Sequence, residues 1–222
     1  MENIQEISIR KTGDGSTTLF LSSIEETYHS THGAIQEAKH VFIKNGVAQV
    51  QKEELSILEV GFGTGLNAIL TSLHSQEVGI IIHYTGLETV PLPKEVIDEL
   101  NYLELEPSLS KVDFAKLHSV EWEREVAIHP KFYLTKINQK VQNFKTSNRF
   151  DLVYYDAFGP RAQNEMWEKE IFENLYNHLV IGGVLVTYCA MGQFKRDLKS
   201  VGFQVMNVPG PPGKREMTIA IK

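Results

Sequence analysis

A strand, a glycine-rich turn and a helix follow one another around residue 60 of the 222-residue chain, and no other segment constrains the fold as strongly. Residues 55–61 form a short apolar run typical of a buried strand. Residues 66–73 place apolar side chains at the spacing of one helical face. Gly61, Gly63 and Gly65 remove side chains from the turn in between. A bulky ligand can therefore lie against the backbone of the turn and the N-terminus of the helix.

Strands and helices continue to alternate along the rest of the chain. The predicted strands cover 79–88, 131–138, 150–156 and 184–188, and the predicted helices cover 94–103, 109–120, 164–179 and 193–201. Asn164 is the expected N-cap of the helix over 164–179, and Gly182-Gly183 is expected to end it. This alternation predicts an α/β protein with a doubly wound parallel sheet and right-handed crossovers. The last two strands, one opening at 202 and one at 216–221, have no helix between them, so we expect them to pair as an antiparallel edge.

A separate N-terminal piece precedes this sheet. Residues 7–10 and 18–22 flank the turn signal Thr12-Gly-Asp-Gly15, a pattern that predicts a β-hairpin. Residues 33–43 carry apolar side chains on one helical face. We expect this face to be buried against the main sheet or its ligand cleft. Neither a linker nor an internal repeat interrupts the chain. The expected organisation is one domain over 1–222, with a hairpin and helix extension at 1–48 and a Rossmann-like core at 49–222.

The spacing of the glycines distinguishes two kinds of ligand. In the dinucleotide fingerprint G-x-G-x-x-G the third glycine would stand at position 66, which is Leu66 here. The pattern G-x-G-x-G after an acidic residue instead resembles the S-adenosylmethionine turn of class I methyltransferases. Glu88 ends the next strand, where a carboxylate can accept hydrogen bonds from both ribose hydroxyls. The resemblance implies a class I S-adenosylmethionine-dependent methyltransferase fold, a seven-stranded, mostly parallel sheet with an antiparallel C-terminal edge strand.

A second group of residues begins at Asp156, at the end of the strand predicted over 150–156. In such a sheet this strand lies directly beside the first one, and ligands bind in the crevice at the carboxyl ends of the strands. A carboxylate in that crevice favours an acceptor site, the alternative being that it anchors the loop at 158–164. Trp167 and Phe172 fit the core of a helix better than a platform for substrate.

Five sets of residues carry a more specific resemblance. They are Tyr28-His-Ser with Gly33, Glu37 and His40-Val-Phe; Val60-Gly-Phe-Gly-Thr-Gly-Leu-Asn67; Asp156-Ala-Phe-Gly-Pro with Asn164-Glu-Met-Trp167; Gly183 with Thr187-Tyr188; and Lys214-Arg-Glu-Met217. Together they resemble the methyltransferase half of the bifunctional bacterial enzyme that completes 5-methylaminomethyl-2-thiouridine at the wobble position of tRNA. This resemblance implies S-adenosylmethionine as donor and the amine of 5-aminomethyl-(2-thio)uridine in tRNA as acceptor.

The resemblance, the strand ends and the basic residues near the C-terminus together assign roles to individual residues. The catalytic residue is Asp156; the cofactor is bound by Glu59, Gly61, Phe62, Gly63, Gly65, Asn67, Glu88, Asn138 and Asp156; and the substrate is bound by Phe158, Tyr188, Lys195, Arg196, Lys214 and Arg215. One position departs from the family, which often has an acid after the third strand that could contact the adenine amino group. Lys136 stands there, so adenine recognition is expected from Asn138 or from backbone.

The charge distribution bears on the acceptor. A net charge of −6 argues against non-specific nucleic-acid binding. Residues 189–222, however, hold six basic and two acidic residues. This basic end is either a solvated face or the footprint of a polyanion, for which the tRNA anticodon stem-loop is the expected partner.

Location and further partners follow from what the sequence lacks. It has no apolar run near the roughly 18 residues that span a bilayer and no secretory signal, so no membrane partner is expected. With Cys189 as the single cysteine, a reducing cytoplasm is the expected location. His29, His32 and His40 are joined by no cysteine and no acid cluster, so no metal site is expected. Residue 222 directly follows the last predicted strand, so we expect a stand-alone methyltransferase and a separate enzyme that supplies the aminomethyl group.

Three other functions remain open on the sequence alone. An aminopropyltransferase resembling spermidine synthases would share the fold but needs acids that bind a polycation, whereas the region after the fifth strand is basic. A nicotinamide oxidoreductase is disfavoured by Leu66. A non-enzymatic RNA-binding module is disfavoured by the presence of both the glycine turn and Asp156.

Overall fold

An eight-stranded, mostly parallel sheet forms the centre of the protein in a computed structural model that describes residues 7–222. The strands are β1 (Ile7–Lys11), β2 (Thr17–Leu21), β3 (Glu26–Thr27), β4 (Glu54–Val60), β5 (Ile81–Glu88), β6 (Val126–His129), β7 (Phe132–Asn138), β8 (Phe150–Tyr155), β9 (Leu179–Thr187), β10 (Gln204–Pro209) and β11 (Glu216–Ile221). The α-helices are α1 (Ala34–Ala38), α2 (Leu66–Val78), α3 (Lys94–Asp98), α4 (Tyr102–Leu105), α5 (Lys111–Ser119), α6 (Lys169–His178) and α7 (Gly192–Val201).

The order of strands in the central sheet is β10-β11-β9-β8-β4-β5-β7-β6. The five strands from β9 to β7 run parallel, with β4 at the point where the order reverses. This arrangement confirms the class I methyltransferase fold and the doubly wound sheet. The carboxyl ends of β4, β5 and β8 meet at one edge, which is where open α/β sheets bind their ligands.

The antiparallel strands differ from the expectation in two details. β10 and β11 pair antiparallel, as predicted, but β11 lies between β9 and β10, so the C-terminal strand is one position in from the edge. An eighth strand, β6, pairs antiparallel with β7 at the opposite edge. Its four residues are too few to show a clear alternation, so the sequence pattern did not predict it.

The boundary between α6 and β9 also differs from the prediction. The segment predicted as one helix over 164–179 is a 3₁₀ turn at Asn164–Trp167 followed by α6, so Asn164 does not cap α6. β9 begins at Leu179 and passes through Gly182 and Gly183. Because its register against β8 shifts at this point, the two glycines form an irregularity inside a strand and do not terminate a helix.

The N-terminal extension packs on the central sheet. The predicted hairpin is β1 paired with β2, and the two-residue β3 adds a third strand. The predicted helix over 33–43 is α1 followed by a π-helical stretch at Lys39–Lys44. Its apolar side chains are buried, and the Phe42 ring lies 4.9 Å from the Tyr154 ring of β8. The boundary drawn at residue 48 stays a prediction.

The helices of residues 7–222 include none that is long and apolar enough to cross a membrane.

One close approach in the sheet gives a test of the fold. A Cβ atom at Gly86 in β5 would stand 2.4 Å from the ring of buried Phe62. We therefore expect Gly86→Ala to displace this ring and to lower the free energy of unfolding by about 1–3 kcal/mol. Gly192→Ala, at a position where the nearest neighbour is an arginine side-chain atom 3.4 Å away, should stay within about 0.5 kcal/mol. Urea denaturation measures both, and equal stabilities would contradict the packing described.

Candidate active site at the glycine turn

The turn between β4 and α2 is held in a conformation that only glycine tolerates well. Gly61, Gly63 and Gly65 have φ angles of 91°, 48° and 72°, in the left-handed region. The backbone N–H groups of Gly61 and Phe62 donate to the carbonyl of Leu87 at 3.1 and 3.0 Å, which ties the turn to β5. A Cβ at Gly61 would lie 2.6 Å from the carbonyl oxygen of Asp156. The turn is therefore wedged between the ends of β5 and β8.

The Glu88 carboxylate is fixed by backbone donors. Its Oε2 accepts a hydrogen bond from the N–H of Gly63 at 2.9 Å, and its Oε1 accepts from the N–H groups of Thr89 and Val90 at 2.7 and 2.9 Å. These hydrogen bonds hold an anionic group at the end of β5, beside the glycine turn.

The side-chain amide of Asn67, in the first turn of α2, bridges two acids. Its Nδ2 donates to Glu59 Oε1 and to Asp156 Oδ2, both at 2.8 Å. Glu59 is completely buried, and its Oε2 and the Oδ1 of Asn67 have no hydrogen-bond partner among the described residues. Burial raises the pKa of Glu59 well above its ordinary value, and the neighbouring Asp156 charge raises it further. Burial and the neighbouring charge therefore favour the protonated form of Glu59.

Asp156 is the more accessible of the two acids. Burial raises its pKa to about 7, while the hydrogen bond from Asn67 lowers it. The more distant charges of Glu37 and Lys214 act in opposite directions, Glu37 raising the pKa and Lys214 lowering it. A carboxyl with this pKa can both accept and release a proton near neutral pH.

Two cavities meet at Asp156. The first, here called the turn cavity, has a volume of about 320 Å³ and is lined by the glycine turn, Glu88–Val90, residues 139–142 and the segment 156–158. The second, called the hairpin cavity, has a volume of about 470 Å³ and lies toward the N-terminal strands and α1. The residues that line both are Tyr28, His29, Asn67, Asp156, Ala157 and Phe158. Asp156 therefore faces whatever occupies either cavity.

Aromatic and charged side chains form the wall of the hairpin cavity. The rings of Tyr28 and Phe158 meet edge to face at 5.1 Å. The hydroxyl of Tyr188 donates to the carbonyl of Ala157 at 2.8 Å, and the ammonium of Lys214 lies 3.9 Å from the centre of the Tyr188 ring. Lys214 also forms an ion pair with the buried Glu37. The cavity thus combines flat apolar surfaces with carboxylates.

The structure brings most of the predicted site residues together. Those that line a cavity are Gly61, Phe62, Gly63, Asn67, Glu88, Asp156, Phe158, Tyr188 and Lys214. The other six predicted site residues line neither of these two cavities: Glu59, Gly65, Asn138, Lys195, Arg196 and Arg215. Lys195 instead pairs with Glu216, and Arg196 donates to Gln193.

Lys136, the departure from the family pattern, points away from the site. Its ammonium donates to the carbonyl of His118 at 2.8 Å and lies 5.0 Å from the centre of the Trp122 ring. Only 3% of the residue is exposed, and this burial lowers its pKa to about 8. Lys136 therefore fixes α5 against β7, and the residues after β7 that line the turn cavity are 139–142.

Sequence reasoning missed several lining residues. Residues 139–142 directly follow β7, so their position at the binding edge could have been inferred from the strand order. Tyr28 and Glu37 stand in the matching stretches but received no role. Arg10 and Phe20 gave no signal at all, because only the folded hairpin brings them to the cavity.

The fold and this site define a methyltransferase. Residues 107–222 match a family described as S-adenosyl-L-methionine-dependent methyltransferase, and the chain belongs to that family. S-adenosylmethionine is accordingly its cofactor. Within residues 7–222 no group of three His, Cys, Asp or Glu side chains is placed to hold a metal ion.

Individual relatives are more specific. The chain is 31% identical over 211 residues to the "tRNA 5-methylaminomethyl-2-thiouridine biosynthesis bifunctional protein MnmC" of Cupriavidus necator, a match that covers 88% of this chain and 32% of that protein. It is 29% identical over 221 residues to the protein of the same name from a Marinomonas species, covering 89% and 31%. The chain thus spans about a third of the length of the curated relatives it matches.

Solved structures agree on the fold. The structure of MnmC2 from Aquifex aeolicus superimposes with a TM-score of 0.81 at 24% identity, covering 96% of this chain and 69% of that one. A spermidine synthase from Thermotoga maritima has a TM-score of 0.57 at 15% identity, covering 97% and 68%. At these identities both similarities concern the fold alone. The family match favours neither aminopropyl transfer nor nicotinamide chemistry.

The turn cavity can be tested as the cofactor site. We expect Gly63→Val to abolish S-adenosylmethionine binding, because a branched side chain would enter the cavity at a φ of 48° and approach the Tyr28 ring. Glu88→Ala should weaken binding by about 1–3 kcal/mol, since the charge-assisted hydrogen bonds to the ligand would be missing. Isothermal titration calorimetry measures both affinities. Glu88→Gln serves as the conservative variant, and Glu99→Ala, an exposed acid outside both cavities, as the control. Wild-type affinity in Gly63→Val and Glu88→Ala would contradict the assignment.

Proposed function

We propose that the chain transfers a methyl group from S-adenosylmethionine to the amine of 5-aminomethyl-(2-thio)uridine at the wobble position of tRNA. The observation that carries the proposal is the position of Asp156 at the junction of the two cavities, within a chain similar to proteins named for this modification. The turn cavity takes the cofactor, and the hairpin cavity takes the modified uridine.

The turn cavity fits the cofactor in size and chemistry. Its volume of about 320 Å³ is in the range of small-molecule sites. The glycine turn leaves the space that a Cβ atom would fill, and Glu88 offers acceptors for ribose hydroxyls. We assign Asn67, which lines the cavity at the start of α2, to the methionine end. In place of Asn138, we assign residues 139–142 to the adenine end, because they line the cavity.

Glu59 and Gly65 contribute from outside the cavity. Glu59 holds Asn67 through the hydrogen bond at 2.8 Å, and Gly65 allows α2 to begin directly after the turn. Both belong to the cofactor site through the residues they position.

The hairpin cavity fits an aminomethylated base. Single-stranded bases are bound by stacking on aromatic side chains, for which Tyr28, Phe158 and Tyr188 are available. The carboxylates of Glu26, Glu37 and Asp156 complement the positive charge that such an amine carries in solution. Carboxylates suit any cationic acceptor, so the choice between a modified uridine and a diamine is left to experiment.

The reaction requires a free lone pair on the acceptor amine. When bound, the cofactor supplies an electrophilic methyl group on a sulfonium. An alkylamine with a pKa near that of lysine, about 10.4, is mostly protonated at neutral pH. A partly desolvated cavity lowers that pKa. Asp156 accepts an N–H hydrogen bond, orients the lone pair and takes up the proton released as nitrogen gains its new bond. Correct placement of the two reactants contributes about 7–11 kcal/mol without a covalent intermediate.

The setting of the reaction is part of the proposal. We assign the protein to the cytoplasm, where its buried Cys189 stays reduced. We also propose that a separate enzyme supplies the aminomethyl group.

The function is tested by incubating the purified protein with S-adenosylmethionine and tRNA that carries the 5-aminomethyl group. Mass spectrometry of the digested nucleosides should show a gain of one methyl group on that uridine. Putrescine is offered as acceptor in a parallel reaction. Methylation of neither acceptor, or alkyl transfer to the diamine alone, would overturn the proposal.

Asp156 variants test the role of the carboxylate. Asp156→Ala should leave cofactor affinity within a few-fold and lower the rate of methyl transfer by about two orders of magnitude or more. The wild-type rate should rise with pH through about 7, because the pKa of Asp156 is raised to about 7 and the ionised form is the acceptor. Asp156→Asn should lose the component of this rise that titrates near 7 and keep only the rise that comes from deprotonation of the acceptor amine. Measured rates from pH 5.5 to 8.5 that coincide for wild type and Asp156→Asn would show that Asp156 is only structural.

The basic C-terminal end gives a separate prediction. If Lys214 and Arg215 bind tRNA phosphates, the double change Lys214→Ala/Arg215→Ala should weaken tRNA binding regardless of sequence and lower the salt slope by about one counterion for each phosphate that is no longer neutralised. Lys39→Ala/Lys44→Ala is the charge-matched control, since neither residue lines a cavity. Affinities are measured at several salt concentrations. Equal slopes for the two double variants would make the C-terminal charges a solvated face.

A further inference from the structure

Arg10, a cationic residue of the N-terminal hairpin, lines the hairpin cavity and takes no part in the proposed reaction. Arg10 in β1 and Phe20 in β2 both line the cavity, and the guanidinium carbon of Arg10 is 3.3 Å from the centre of the Phe20 ring. The β1–β2 register places Arg10 opposite Thr18, so the two side chains are diagonal neighbours on one face of the hairpin. The ring therefore supports the guanidinium at the mouth of the acceptor cavity.

Arg10 differs in its charge environment from the other cation of this cavity. Lys214 is neutralised by Glu37, with which it forms an ion pair. Arg10 is exposed and forms no ion pair with a carboxylate of residues 7–222. Its positive charge is thus available to an anion outside the protein. Of the basic residues predicted from the C-terminal end, Lys195 is also paired, with Glu216.

The stacked pair of Arg10 and Phe20 favours a phosphate group as its ligand. A guanidinium presents a planar fork of donors that matches phosphate oxygens bidentately. Stacking on an aromatic ring fixes the plane of the fork, so that less side-chain entropy is lost when the anion binds. When a loop base is turned out into a cavity, its flanking phosphates lie at the cavity mouth. We propose that Arg10, held on the ring of Phe20, binds a backbone phosphate next to the acceptor nucleotide of an RNA loop.

This inference rests on the proposed function, since it takes an RNA loop as the acceptor, and it is tested by binding. The probe is an RNA anticodon stem-loop that carries 5-aminomethyluridine, with affinity measured at several salt concentrations. Arg10→Ala should weaken binding about ten-fold or more and lower the salt slope by about one counterion. Arg10→Lys should restore the slope but only part of the affinity, because it keeps the charge and loses the fork. Phe20→Leu should weaken binding with an unchanged slope.

Two controls separate this phosphate interaction from a loss of structure. Lys11→Ala removes the same charge from the next residue of β1, which lines neither cavity, and should keep the slope of the wild type. Methylation of the free 5-aminomethyluridine nucleoside should fall less in Arg10→Ala than methylation of the stem-loop, because the nucleoside has no flanking phosphate.

The outcomes are distinguishable. The phosphate interaction would be overturned if Arg10→Ala kept the wild-type salt slope, or if Lys11→Ala lowered the salt slope as much as Arg10→Ala. It would also be overturned if Arg10→Ala lost equal activity on the stem-loop and on the nucleoside. Stem-loop binding with the expected Arg10 dependence but without methyl transfer would leave the phosphate interaction standing and refute the proposed function alone.

Discussion

The hydrogen bonds donated by the Asn67 amide hold the active site together. One NH₂ group at the start of α2 contacts the acid at the penultimate residue of β4 and the acid that follows β8. Two carboxyl groups in such a site cannot both ionise without strong repulsion. Burial and the charge of Asp156 both raise the pKa of Glu59, which favours its protonated form over a second negative charge beside Asp156. The helix, the turn and two parallel strands are thus fixed relative to one another by a single side chain.

This arrangement explains why Asp156 is reactive at neutral pH. Its pKa is raised to about 7 by burial, and the nearby Glu37 and Lys214 shift it in opposite directions. These two form an ion pair with each other. The Oδ1 of Asn67 is a buried acceptor without a hydrogen-bond partner among residues 7–222. Such an acceptor costs about 1–3 kcal/mol of stability.

Much of the fold could be predicted from the sequence because local patterns determine it. The apolar run of β4, the three glycines and the face of α2 are each visible within a few residues, and the acid at Glu88 marks the end of β5. The irregular parts could not be predicted in this way. Gly182 and Gly183 resemble a helix terminator locally, and only the pairing of β9 with β8 turns them into part of a strand. β6 is stable because β7 pairs with it, and its own four residues carry no periodic signal.

The site likewise has parts that local sequence patterns determine and parts that only long-range contacts determine. Asp156 and the glycine turn lie at strand ends, where sequence order alone places functional groups. The hairpin cavity is different, because its wall joins Glu37 of α1 to Lys214 of the loop before β11, 177 residues further along the chain. His40 binds the carbonyl of Pro209 at 2.8 Å in the same region. Contacts of such long range form late and slow the folding of a chain. Every residue that lines the turn cavity lies at or before Met166, whereas the wall of the hairpin cavity is complete only when Lys214 has joined Glu37. During synthesis from the N-terminus, the turn cavity is therefore encoded before the hairpin cavity is.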